Sequence, residues 1–249
     1  MNATINKNLI SINIKEYLNQ TIAKYHQLNA ELETAIKTAN QQYKDGFTSK
    51  IYTDEHLSQL LHSKTEQASN NFISQAKALN SEVKNYIAEL KKEILLATSS
   101  TQKSADYAVS VNNALQFLQL EGASINDETA FQILHNFIND IETMQRFRSV
   151  IEHQKDEKLT DAHGNTTFPL TFGQLENYER FFKTFAELET TVESLFVRKK
   201  TETETEYIAN GAKLSVPMDG YMQLISEKNA TEQAGTVEKM AGELFTDRK

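Results

Sequence analysis

TDEHLSQLLHSKTEQASNNFISQAKALNSEVKNYIAELKKEILLAT, residues 53–98, decides the fold. Its apolar residues recur at eleven-residue steps: Leu57, Ala68, Leu79 and Leu90 form one series, and Leu61, Phe72, Val83 and Ile94 another. Eleven residues fill about three turns at 3.67 residues per turn, so both series stay on one face of a nearly straight helix. No Pro or Gly interrupts the stretch, which predicts a continuous rod of about 65 Å at 1.5 Å per residue. Such a rod needs a partner helix along most of its length.

The partner lies just upstream. Leu18, Ile22, Tyr25, Asn29, Leu32, Ile36, Ala39 and Tyr43 alternate steps of four and three, the seam of a coiled coil, and predict a helix from about Asn13 to Tyr43. Asn29 on that seam either pairs with a polar partner or sits at its edge beside a buried Leu28. Lys44-Asp45-Gly46-Phe47 is expected to stop the helix with Gly46 as left-handed cap. Thr53 then caps the second helix, with Asp54 and Glu55 at its positive end. A connection of about ten residues lets the two helices fold back antiparallel. The second is longer and overhangs by about 20 Å. That overhang calls for cover from the remaining chain or from another subunit.

Downstream, Lys103–Leu120 reads as a third helix, with Ala105, Val109, Leu115, Leu118, Phe117 and Leu120 on its apolar face and Gly122 closing it. Asn126 or Asp127 caps a fourth helix that runs to about His153, with Phe131, Leu134, Phe137, Ile138, Ile141, Met144, Phe147 and Ile151 inward. Residues 158–168, around His163-Gly164-Asn165, suggest a small β-hairpin or an ordered loop. Thr171 and Gln174 form a capping-box pair, with Leu170 stapling Leu175, for a fifth helix to about Lys200. The alternation of Thr and Glu over 201–206 reads as a solvated linker. A short amphipathic segment, Glu232–Phe245, follows. The expected organisation is all-α: a long antiparallel helical hairpin (1–99), a helical domain (100–200), and a flexible linker with a short tail helix (201–249).

Composition narrows the function. The 249 residues carry a net charge of −8, with 11 Lys against 10 acids over residues 1–100 and 15 Lys or Arg against 24 acids thereafter. That balance argues against a general phosphate-binding surface, and no nucleic-acid partner is expected. No apolar run approaches 18 residues, so no membrane span is expected. The amino end lacks the pattern of a secretory signal, and synthesis in the cytoplasm is the default. There is no Cys for a disulfide framework or a thiolate zinc site.

The residues that could carry chemistry favour surface or structural roles. His56 and His62 are six apart, unlike the four-residue spacing of two ligands on one helix face, and the other His stand alone. No His has a Glu three residues before it, as a di-iron bundle needs. Glu187, Glu189 and Glu193 fit a solvated flank, and Arg198-Lys199-Lys200 fits a helix carboxyl end. No phosphate loop or nucleophile elbow occurs. The expectation is a non-enzymatic protein with no catalytic residue, no cofactor and no metal.

The connector Asp45-Gly46-Phe47, then Ile51-Tyr52-Thr53-Asp54-Glu55, then a long charged helix through Leu96, resembles helical proteins of tailed-bacteriophage structural gene clusters, including head scaffolding-like proteins. The resemblance spans about a fifth of the chain. It implies an acidic, helical, oligomeric protein that builds or lines a virion shell and touches it through a short carboxyl-terminal segment, here Thr231–Lys249. That segment departs from the pattern by its acidity, with Glu232, Glu238, Glu243 and Asp247 against Lys239, Arg248 and Lys249.

The reading that gathers these observations is a structural or assembly protein acting through self-association (a homo-oligomer) and docking to another structural protein. Its partner-binding residues are expected to be the hairpin seam Leu57, Leu61, Phe72, Leu79, Val83 and Leu90, with Val237, Met240, Leu244 and Phe245 as a second contact. The competing reading is an acidic inhibitor or adaptor that covers a partner's basic surface.

Overall fold

A computed structural model of the chain describes residues 13–99, 105–193, 195–196, 204–209, 212–217 and 220–245. Among them, seven α-helices follow one another: α1 (Ile14–Ser49), α2 (Asp54–Ser99), α3 (Ala105–Glu121), α4 (Asp127–Leu134), α5 (Ile141–Lys155), α6 (Pro169–Val192) and α7 (Gly220–Phe245). Between α6 and α7 lies an antiparallel hairpin of β1 (Glu204–Ala209) and β2 (Ala212–Pro217), in register from Glu204 opposite Pro217 to Ala209 opposite Ala212. The all-α class and the long helical hairpin hold.

The chain packs as two units that do not follow sequence order. One comprises Asn13–Ala88 with Glu187–Glu238, the other Glu89–Ala186 with the chain end from Lys239. The division falls within α2, α6 and α7, whereas the sequence reading divides the chain near residues 99 and 200.

In the first unit α1 and α2 run antiparallel. Tyr17 stacks on Tyr86 with centroids 4.1 Å apart, and Tyr25 meets Phe72 at 5.8 Å. Further along, Lys64 donates to Gln42, and Ala39, Tyr43, Leu57 and Leu61 form one buried cluster. Helix α1 does not stop at Gly46. It continues to Ser49, and Lys50 takes the left-handed cap at φ 53°. Gly46 serves close approach instead: a methyl group there would fall 2.5 Å from Leu57 Cδ2. The connector is therefore shorter than expected. Thr53 does cap α2, accepting the His56 N–H at 3.3 Å.

The remainder of this unit covers one part of the hairpin. Phe196 stacks on Tyr25 at 4.8 Å, and Asn80, buried, donates to the Glu193 carbonyl at 2.9 Å and accepts the Phe196 N–H at 3.2 Å. Helix α7 runs antiparallel to α1. His26 Nε2 lies 2.9 Å from the buried Glu227 carboxylate, and Glu238 accepts the Lys15 N–H at 2.7 Å. Asn13 provides no side-chain cap for α1, so Glu238 does that work from another helix. Helix α7 thus begins at Gly220, ahead of the expected Glu232, and Ala230, Ala234 and Val237 are buried. The small residues on this face let α7 lie close, which replaces the expected mobile tail with core. Residues 201–203 of the expected linker lie outside the described residues, and 204–209 form β1.

The second unit is aromatic. Leu118, Leu134, Phe137, Met144, Phe147, Ile151, Phe168 and Phe172 share its core, and Phe245 meets Tyr178 at 6.0 Å and Phe181 at 5.7 Å. The expected fourth helix is broken into α4, a 3-10 turn (His135–Phe137) and α5. The break has a local cause: Asp140 accepts the Thr143 N–H at 3.2 Å and starts a new helix. Residues 159–167 are an ordered loop with one bridge, Thr160 to Thr166. The Asp161 carboxylate accepts the backbone N–H of His163 and Asn165 at 2.9 and 2.8 Å, and these bonds hold its pKa below the ordinary carboxylate value. Gly164 supplies the φ of 81° that closes the loop.

Helix α6 starts two residues before Thr171, at Pro169, the favoured first helical position for a residue without an N–H. Thr171 is not its cap. The Asp127 carboxylate of α4 accepts the N–H groups of Leu170 and Thr171 at 2.8 and 3.0 Å and the Thr171 hydroxyl at 2.7 Å.

Candidate interaction surfaces

The structure gives the expected partner-binding residues to the chain itself. Leu57, Leu61, Phe72, Leu79, Val83, Val237 and Phe245 are buried, and Leu90, Met240 and Leu244 are half-buried. The physical reason differs along the hairpin. Near its closed end α1 and α2 bury the seam between themselves, with Leu57 and Leu61 against Ala39 and Tyr43. Toward its open end, Glu193 and Phe196 close over Asn80 and Tyr25, and α7 reaches α1 through Glu227 and Glu238. None of the ten is an exposed residue, so a charge placed at Leu79 would disturb folding before assembly.

The exposed large apolar side chains gather elsewhere. At the closed end of the hairpin Phe47 is 50% exposed, Ile51 74% and Tyr52 54%. Their geometry is fixed by stacking: Tyr43 lies parallel to Phe47 at 6.5 Å, and Tyr52 stacks on His56 at 5.2 Å. Lys44, Lys50, Asp54 and Glu55 surround this tip and make no ion pair among the described residues. A sequence signal existed, since three large apolar residues in a connector of this size serve no seam. The sequence reading placed them in the connection between the two helices.

A second group lies on α3. Val109, Phe117 and Leu120, expected to face inward, are 58%, 39% and 83% exposed. The core takes the opposite side of the helix, through Ala114 and Leu118 with Tyr107, Val111 and Leu115 packed beside them. At about 100° per residue, Val109 and Leu120 point almost diametrically away from Leu118. The sequence reading took Val109, Phe117 and Leu120 into the inner face and left out Tyr107 and Val111, and the helix is apolar on two sides.

Several titratable groups are engaged by structure. His26 engages Glu227, His62 lies 3.8 Å from Glu66, and His135 Nδ1 lies 2.9 Å from the Gln132 carbonyl. Arg148 bridges Glu152 and Glu179 at 3.3 and 3.0 Å, and Glu152 also accepts the Leu159 N–H at 3.1 Å. Tyr107 donates to Asp140 at 2.5 Å; burial, then that bond, pushes its pKa up to about 12. Burial also raises Tyr178, and burial with the negative charge of Glu82 raises Tyr17. Among the described residues no three His, Asp or Glu stand together to hold a metal ion. No helix among them is long and apolar enough to cross a membrane.

No protein-family model, curated protein or solved structure matches the chain. The functional reading therefore rests on these surfaces.

Proposed function

We propose that this chain is a non-enzymatic structural protein of assembly, acting by helix-mediated self-association and by docking to another structural protein. The observation that carries the reading is the apolar tip. Phe47, Ile51 and Tyr52 stand open to solvent at the end of a hairpin whose own seam is already closed. Large apolar groups clustered this way mark contact surfaces, and stacked aromatics suit that role because little side-chain freedom is lost on binding. Helix α1 is about 54 Å long at 1.5 Å per residue, so the tip is displayed well away from the other end of the hairpin. The resemblance to phage structural proteins is carried by residues 44–96, which include this tip, and a virion or its assembly is the setting we propose.

Light scattering on the full chain tests the reading. The expected result is a mass above one chain at roughly 10–100 µM, little changed by added salt, because apolar contacts are not screened. A protein that stays at one chain and loses its partner as salt rises would instead be the acidic adaptor.

A further inference from the structure

Residues 107–120, YAVSVNNALQFLQL, contain no charged residue in a chain that is 24% charged. They form most of α3, whose inner face is satisfied by Ala114 and Leu118. Its outer face presents Val109, Asn113, Gln116 and Leu120, all exposed, with Phe117 at one edge. At about 100° per residue these four fall within an arc of about 60°. A solvated helix face is normally charged, and this one is not.

We propose that this face of α3 is a homodimer contact in which two copies of the chain pair α3 against α3 antiparallel about a two-fold axis. The inference rests on the self-association reading above and names its surface. The occupant follows from the pattern. In a two-fold contact each copy presents the same stripe, so a stripe carrying charge of one sign would bring like charges together; an uncharged stripe avoids this. The order of residues also matches its own reverse. With the axis passing between positions 114 and 115, Val109 of each copy meets Leu120 of the other, and Asn113 meets Gln116. Apolar groups fall on apolar groups. The two amides, each both donor and acceptor, fall together and satisfy each other. Asp106 and Glu121 lie beyond the facing pairs. The antiparallel arrangement also opposes the two helix dipoles. A partner of strong charge, basic or acidic, finds nothing on this stripe to pair with.

The full-length chain tests this directly. Sedimentation should give a mass of two chains at roughly 10–100 µM, falling to one chain in a Val109→Glu, Leu120→Glu variant with unchanged helicity, since both residues are exposed. Because the chain has no Cys, the register can be read by oxidation. A mixture of Val109→Cys chains with Leu120→Cys chains should cross-link, whereas either alone should not, its two thiols being about 16 Å apart by the helical rise. A wild-type mass of one chain throughout this range overturns both the contact and the self-association reading. A mass that survives Val109→Glu, Leu120→Glu but collapses in Phe47→Ser, Ile51→Ser, Tyr52→Ser overturns the α3 contact alone. Cross-linking of Leu120→Cys with itself and not with Val109→Cys overturns the antiparallel register.

Discussion

The closed end of the hairpin and the aromatic unit are both helical, yet they are held by different means. Around residues 32–65 the hairpin buries only Leu32, Ala39 and Tyr43 from α1 and Leu57, Leu61 and Thr65 from α2. Thr65 satisfies its hydroxyl within its own helix, on the Leu61 carbonyl at 2.9 Å. The rest of the surface is solvated and carries weak pairs such as Lys37 with Glu33 at 3.8 Å. In the aromatic unit Phe147 is fully buried and meets Phe137 edge-on at 5.3 Å, and its neighbours come from α3, α4 and α6. A two-helix seam gives length and display from local pattern alone; a core built from distant segments gives stability.

The largest expected effect follows from that contrast. Phe147→Ala should cost about 3–5 kcal/mol, because a closely packed site leaves a cavity that cannot collapse. Leu61→Ala should cost about 2 kcal/mol and act locally, since the two-helix seam can relax around it. Denaturant unfolding measures the first. Hydrogen exchange measures the second, with faster exchange confined to about residues 36–68. Equal global losses for the two variants would break the comparison.

The sequence disclosed what depends on spacing along one helix. The α2 rod, the α1 seam and the capping of α2 by Thr53 are local, and they are as expected. It did not disclose where a seam finds its cover, because that depends on segments more than a hundred residues away. Tyr25 and Asn80 are covered by Phe196 and Glu193, and Lys15 is reached by Glu238. Helix caps show the same limit. Thr171 with Gln174 satisfies the local capping pattern, yet α6 starts at Pro169 and takes its cap from Asp127 on α4. The exposed apolar faces were hidden for a related reason: apolar periodicity marks buried and displayed faces alike, so Leu120 and Leu118 look equivalent until the core chooses Leu118.

These distant caps rank next. Asn80→Ala removes the partner of the part-buried Glu193 carbonyl and of the buried Phe196 N–H and should cost about 2–4 kcal/mol. Asn80→Asp keeps the acceptor for Phe196 but sets a second acceptor oxygen against the Glu193 carbonyl in a buried site, so it should not restore that stability. Asp127→Ala should cost about 1–2 kcal/mol by uncovering the first turn of α6, with Asp127→Asn intermediate. Thermal unfolding of the four variants orders them. If Asp127→Ala proved neutral while Thr171→Ala did not, the local capping box would be restored as the helix start.

The smallest effect concerns pH, and it separates the two regions by their tyrosines. Tyr107 belongs to the aromatic unit and its folded pKa is about 12, raised by burial and by the bond to Asp140. Its unfolded value is near 10. Below about pH 10 both states hold the proton, and the stabilisation is complete. As pH climbs from about 10 to 12 the unfolded chain releases its proton first, and stability falls until the folded phenol ionises too. Tyr107→Phe removes a hydrogen bond to a charged acceptor and should cost about 1–2 kcal/mol at neutral pH. The variant should also lose less stability between about pH 10 and 12 than the parent. Tyr17 in the hairpin is shifted in the same direction, by burial and then by the charge of Glu82. An alkaline transition unchanged by Tyr107→Phe would move its origin to the hairpin, and with it the distinction between a pattern-built arm and a core-built unit.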